Sequence, residues 1–184
     1  QTDRSKDYGF FLVQDVYEGM PEVPRGSIKT LRVIEETSRV SPTPGGGPFN
    51  QTFTISAALS WTAKNYLGQV SVEEDGSAYF EVPAGKMIFL QALDAEGRCV
   101  RSMRTFIQAA PGITRSCIGC HENKKGTYLV EGTAMAQQKP PQQIKDESWG
   151  TGALDYPTMI QPILDKHCAT CHGGEEGFAA GLDL

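Results

Sequence analysis

A five-residue pattern occurs twice in this 184-residue chain, as Cys117-Ile118-Gly119-Cys120-His121 and as Cys168-Ala169-Thr170-Cys171-His172. Two thiols at this spacing can add to the two vinyl groups of one porphyrin. The histidine that follows at once then sits over the iron as its proximal ligand. This is the attachment signature of a c-type haem. Two copies predict two covalently bound haem c groups, one on Cys117 and Cys120 with His121 on the metal, the other on Cys168 and Cys171 with His172 on the metal. Zinc is a second reading of paired Cys-x-x-Cys. The gap between Cys120 and Cys168 is longer than the ~15–20 residues usual for such pairs, and zinc does not explain a histidine after each one. A redox dithiol pair is a third reading.

An electron-carrying haem usually takes a sixth ligand, a second histidine or a methionine sulfur. The chain has three histidines, so His167 is the only one left. From the residue before Cys168 it cannot easily reach its own haem. It is expected to ligate the haem at Cys117 and Cys120, the alternatives being another haem or a plain helix-face role. The other haem then has Met20, Met87, Met103, Met135 or Met159 to draw on, a group from another chain, or nothing. Packing is the ordinary role of any one of these methionines. The fifth cysteine, Cys99, falls in an expected strand and reads as a buried free thiol.

The first 110 residues have the pattern of β structure. Phe10-Phe11-Leu12-Val13 is a short apolar run, and residues 27–36 carry Ile28, Leu31, Val33 and Ile34 after the Pro24-Arg25-Gly26 turn. Residues 41–48 are rich in proline and glycine and must be a loop. Phe53, Ile55 and Ala57 alternate with polar residues, the period of a half-buried strand. Val70 and Val72 share a face; Asp75-Gly76 then makes a turn. Ala78, Phe80 and Val82 alternate with Tyr79 and Glu81. After Pro83-Ala84-Gly85, residues 87–93 are apolar on both faces, as in a central strand. Asp94-Ala95-Glu96-Gly97 turns into a last strand expected over 98–107. Strands of this length and spacing predict a mainly β fold with an antiparallel, sandwich-like domain over residues 1–110.

From Pro111-Gly112 onward the character changes to a loop-rich, partly helical haem-binding segment, residues 111–184. Residues 137–143 read as a linker or a wrapping loop. Residues 155–168 look helical, with Ile160, Ile163, Leu164 and His167 on one face and Pro162 marking a start or a kink. Asn50-Gln51-Thr52 fits a glycosylation sequon, a pattern common by chance. The chain opens on Gln1 and closes on Gly181-Leu182-Asp183-Leu184 without a capping signal, so both ends are expected to be cut points.

Composition narrows the classes. Net charge is −5, which argues against a nucleic-acid surface. No stretch approaches the ~20 apolar residues of a membrane span. Hydrophobic residues at 39% and charged residues at 21% fit neither a disordered nor a membrane protein.

The stretches GQVSVEEDGSAYFEVPAGKMIFLQALDAEGRCVRSMR, PGITRSCIGCHE and YPTMIQPILDKHCATCHGGEEGFAAGLDL resemble the haem-bearing middle and C-terminal regions of hydrazine synthase alpha subunits and related planctomycete-type multihaem proteins. The resemblance runs from about Gly68 onward and is looser before it. It implies that the haem region of Cys117, Cys120 and His121 sits on a β domain and is implicated in catalysis. It implies an electron-transfer haem at Cys168, Cys171 and His172. The family's alpha subunit also has a β-propeller before this region and further chain after it, neither of which these residues include, and hydrazine synthesis in that family requires other subunits.

The function expected is that of a dihaem c-type cytochrome domain passing electrons between redox partner proteins, alone or as a homo-oligomer or filament with haems in contact across subunits. The alternative is a catalytic haem module of the hydrazine synthase type, with one open iron that binds a small nitrogenous substrate. A structural or sensing module is a third reading. Covalent haem attachment is made outside the cytoplasm, so an extracytoplasmic location is expected.

Overall fold

The computed structural model describes residues 2–36, 64–121, 125 and 132–173. The expected loop at 41–48, the Asn50 sequon and the strand around Phe53, Ile55 and Ala57 lie outside the described residues. The chain divides into two compact units, Gln1–Gly152 and Ala153–Leu184. The motif at Cys117 lies in the first and the motif at Cys168 in the second.

The first unit is built from β1 (Tyr8–Val13), β2 (Thr30–Glu36), β3 (Lys64–Ser71), β4 (Ala78–Pro83), β5 (Ile88–Leu93), β6 (Cys99–Ser102) and β7 (Thr114–Cys117). One sheet has the order β4-β1-β7 and the other runs β6-β5-β2-β3. In the second sheet every neighbouring pair among these four is antiparallel. In the first sheet β4 pairs antiparallel to β1, whereas β7 lies parallel to it. The fold is mainly β and sandwich-like, as the alternation leads one to expect.

Period-2 patterning decides which side chains go inside. In β4, Ala78, Phe80 and Val82 are buried while Tyr79 and Glu81 are half-buried. Phe11 and Phe80 face each other across β1 and β4 with ring centroids 6.0 Å apart. They join Leu31, Val33, Val70, Ile88 and Leu90 of the second sheet in one apolar cluster. Each large side chain buried there contributes roughly 1.5–3 kcal/mol. β5 is apolar on both faces because it is central, flanked by β2 and β6.

Two expectations need correction. The strand expected over 98–107 is only Cys99–Ser102. A register shift at Ala92/Leu93 marks the pairing, and contact with β5 returns as a single bridge from Ile107 to Ile88. Cys99 is exposed rather than buried, because it lies on β6, at the edge of its sheet. Its thiol donates to the Arg101 carbonyl at 3.2 Å.

The polar stretch after the short 3-10 turn Met135–Gln138 is a wrapping segment. The Gln142 N–H donates to the Tyr79 carbonyl in β4 at 2.8 Å, and the Lys145 N–H to the Gln69 carbonyl in β3 at 3.0 Å. One short run of chain thus bonds to both sheets. Gly68 permits this, since its φ is +126° and a Cβ there would stand 2.1 Å from the Lys145 carbonyl oxygen.

In the second unit Asp155 caps a single π-turn, Tyr156–Ile160, accepting from the Thr158 N–H at 3.0 Å. Helix α1 (Gln161–His167) follows with Pro162 in its first turn, where the missing N–H costs nothing. The proline therefore starts the helix. A short α2 (Ala169–His172) carries the rest of the motif. Among the described residues, no helix is long and apolar enough to cross a membrane.

Candidate functional site

The first motif begins on a strand and ends on a turn. Cys117 closes β7 and stands opposite Val13 of β1. The backbone beyond β1 then follows the motif residue by residue. The Gln14 N–H donates to the Cys117 carbonyl at 2.9 Å, the Asp15 N–H donates to the Ile118 carbonyl at 3.0 Å, and the His121 N–H reaches the Glu18 carbonyl at 3.4 Å. Gly119 sits where this approach is closest. An added Cβ would lie 2.5 Å from both the Cβ and the carbonyl oxygen of Glu18. The glycine between the two cysteines is thus a steric requirement of this fold.

The segment that holds the motif is itself braced. One oxygen of Asp15 accepts from the Tyr17 N–H at 3.0 Å and the other takes Arg25 at 2.7 Å. Arg25 also donates to the Asp75 carbonyl at 2.9 Å. The Asp75 carboxylate gathers the Ser77 N–H, the Ser77 hydroxyl and the Met135 N–H at 2.9, 2.6 and 2.8 Å. Burial acts to raise the Asp75 pKa, but these bonds outweigh it and hold the carboxyl below its ordinary 3.8. The Asp75-Gly76 turn, legible in the sequence, therefore supports the strand ends from which the motif hangs.

The motif side chains differ in exposure. Cys120 packs against the apolar cluster. Its thiol is pushed up to about 11, first by burial and then by Cys117 and Asp15 nearby. His121 is exposed. Cys120 and His121 line one pocket, to which Leu90, Ala92 and Met103 give apolar surface and Arg101 and Ser102 polar surface. Arg101 pairs with Glu22. Neither charged residue carried a signal in the sequence, since each lies far from the motif along the chain and matches no pattern.

The second motif stands on helices. Cys168 joins α1 to α2 with its N–H donating to the Leu164 carbonyl at 2.8 Å. The His172 N–H donates to the Cys168 carbonyl at 3.0 Å. The His172 Nδ1 atom is buried and has no hydrogen-bond partner. In this unit none of the described side chains is buried, and Leu154, Tyr156 and Ile163 are exposed apolar groups. His167, the last residue of α1, is exposed.

The methionines separate. Met20 is fully buried in the core, which leaves it no open side for a ligand. Met103 lines the pocket beside Cys120 and His121. Met87 is half-buried, Met159 is half-buried in the π-turn, and Met135 is exposed. Among the described residues no three His, Cys, Asp or Glu side chains converge as the ligands of a metal ion.

Comparison with known proteins places these features in a family. The family model described as the hydrazine synthase alpha subunit middle domain matches residues 26–122, more than half of the chain and the whole first motif. No curated protein matches. A solved structure titled Kuenenia stuttgartiensis Hydrazine Synthase is similar in fold, with a TM-score of 0.70 over 97% of this chain at 20% identity. This chain spans 31% of that one. From the match over residues 26–122, the chain belongs to the hydrazine synthase alpha subunit middle-domain family.

Proposed function

We infer that this chain is the haem-bearing part of a hydrazine synthase-like alpha subunit, a dihaem c-type cytochrome domain that passes electrons between redox partner proteins. Cys117 and Cys120 would hold one porphyrin by thioether bonds with His121 on its iron. Cys168 and Cys171 would hold the other, with His172 on its iron. The bound haem supplies a one-electron redox change at iron, and the protein supplies attachment, cover and axial ligands.

The observation that carries this reading is the second unit. Its described side chains form no core, and Leu154, Tyr156 and Ile163 are left exposed. A buried imidazole nitrogen without a partner costs free energy. A porphyrin held by Cys168 and Cys171 would cover those apolar groups, and its iron would give the His172 ring a partner.

A second reading concerns the first motif alone. The family match contains that motif and not the other. His121 stands exposed beside a pocket that mixes Leu90 and Met103 with Arg101. An iron there with an open sixth position would bind a small nitrogenous substrate, as the catalytic reading requires. His167 as the distal ligand of that haem is the competing arrangement. Optical and EPR spectra of the purified protein separate them. Two six-coordinate low-spin haems support electron transfer, and one five-coordinate high-spin haem supports catalysis. Holo-protein formed outside the cytoplasm is part of the proposal, because thioether attachment is made there.

A further inference from the structure

Beside the first motif, an edge strand carries an arginine on the inner face of its sheet. Arg101 stands opposite Ala92 in the pairing of β6 with β5, so the two share a face. That face is the one that sends Leu90 and Ala92 into the apolar cluster. Arg101 lines a pocket there with Leu90, Ala92, Met103, Cys120 and His121, and it is the one arginine or lysine among the lining residues. The Met103 N–H donates to the Leu90 carbonyl at 3.0 Å, which fixes the apolar side of the pocket. The guanidinium pairs through Nη2 with Glu22. Both partners are exposed, and a surface ion pair of this kind adds little to stability. A guanidinium has five N–H donors in a fixed fork, so one carboxylate oxygen at one nitrogen does not exhaust it.

We propose that Arg101 binds a propionate carboxylate of the haem held by Cys117 and Cys120, its fork bridging that group and Glu22. The proposal rests on the reading of the first motif as a haem attachment site. A haem presents an apolar plane and, on one edge, two carboxylates. The pocket beside Cys120 has the same division, with Leu90, Ala92 and Met103 apolar and Arg101 cationic. A carboxylate brought against apolar surface is costly unless it is paired. Arginine meets that need with two parallel N–H bonds, which a lysine cannot supply. The plain alternative is that Arg101 only blunts an open sheet edge, as inward-pointing charges on edge strands do. That role needs no haem and leaves the haem carboxylates as reactive without Arg101 as with it.

The test labels haem carboxylates of the holo-protein with a water-soluble carbodiimide and an amine, in the parent, Arg101→Gln and Glu22→Gln forms. Digestion and mass analysis then count the labels on the haem of each peptide. In the native parent the haem on Cys117 and Cys120 is expected to take at most one label, and after acid unfolding two. Arg101→Gln is expected to raise native labelling of the protected propionate severalfold and to leave the haem on Cys168 and Cys171 unchanged. Glu22→Gln is expected to keep the parent's protection, because the guanidinium remains. Two labels on the native parent, equal labelling in parent and Arg101→Gln, or equal exposure in both charge variants would overturn the role of Arg101. If Arg101→Gln carries no haem, the native and unfolded label counts of the parent decide alone. A parent peptide without haem on Cys117 and Cys120 would instead overturn the underlying assignment, and this proposal with it.

Discussion

At Gly119 the space for a side chain is already taken by Glu18. Gly119→Ala would force two backbone segments apart, and overpacking of this kind costs about 1–3 kcal/mol. Chemical denaturation should show that loss, and haem loading at the first motif should fall with it. Asp75 makes a second residue-scale case. Its carboxyl is held below 3.8 in the folded chain, so the folded state binds the proton less readily than the unfolded one. Asp75 therefore stabilises the fold above about pH 4, and that contribution fades as pH drops through the lower folded value. Asp75→Asn should cost about 1–3 kcal/mol at neutral pH, since one amide oxygen cannot replace acceptors for three donors. Its stability should also fall less steeply between pH 4 and pH 3 than the parent's, in denaturation curves taken across that range. An equal acid slope in parent and variant would remove Asp75 from the account.

Among the elements, β7 carries the start of the first motif, and the wrapping segment ties the two sheets together. Gln142 accepts from the Ser71 N–H and donates to the Ser71 carbonyl, both at 2.9 Å, beside its backbone bonds to β4. Gln142→Ala removes the two side-chain bonds, each worth about 0.5–1.5 kcal/mol. Amide exchange at Ser71 should accelerate while exchange in β5 stays near the parent rate. Unchanged protection at Ser71 would mean that the backbone bonds suffice. β7 is the strand that the sequence hid. Thr114, Arg115 and Ser116 are polar and exposed, because β7 is an edge strand whose pairing is carried by backbone bonds to β1. Alternation cannot announce a strand with no buried face. β4 and β5 were plain for the opposite reason, one with a single buried face and the other buried on both.

At the scale of the whole molecule, the mainly β architecture followed from turns and alternation, because burial on two sheets imposes those patterns directly. The cysteine and histidine positions were legible because the Cys-x-x-Cys-His pattern is local and fixed along the chain. What surrounds them was not. Asp15 and Glu18 come to the first motif through backbone bonds and Arg101 through the pocket it shares with His121, and such contacts leave no local trace. Cys99 was misjudged because a strand pattern does not tell an edge from a centre. On the proposed reading each motif carries one covalent haem, which the mass of the denatured protein tests. The expected value is the polypeptide mass plus two haem masses, retained after acid denaturation and assigned by peptide mapping to Cys117/Cys120 and Cys168/Cys171. An unmodified polypeptide mass, or zinc released in place of haem, would contradict it.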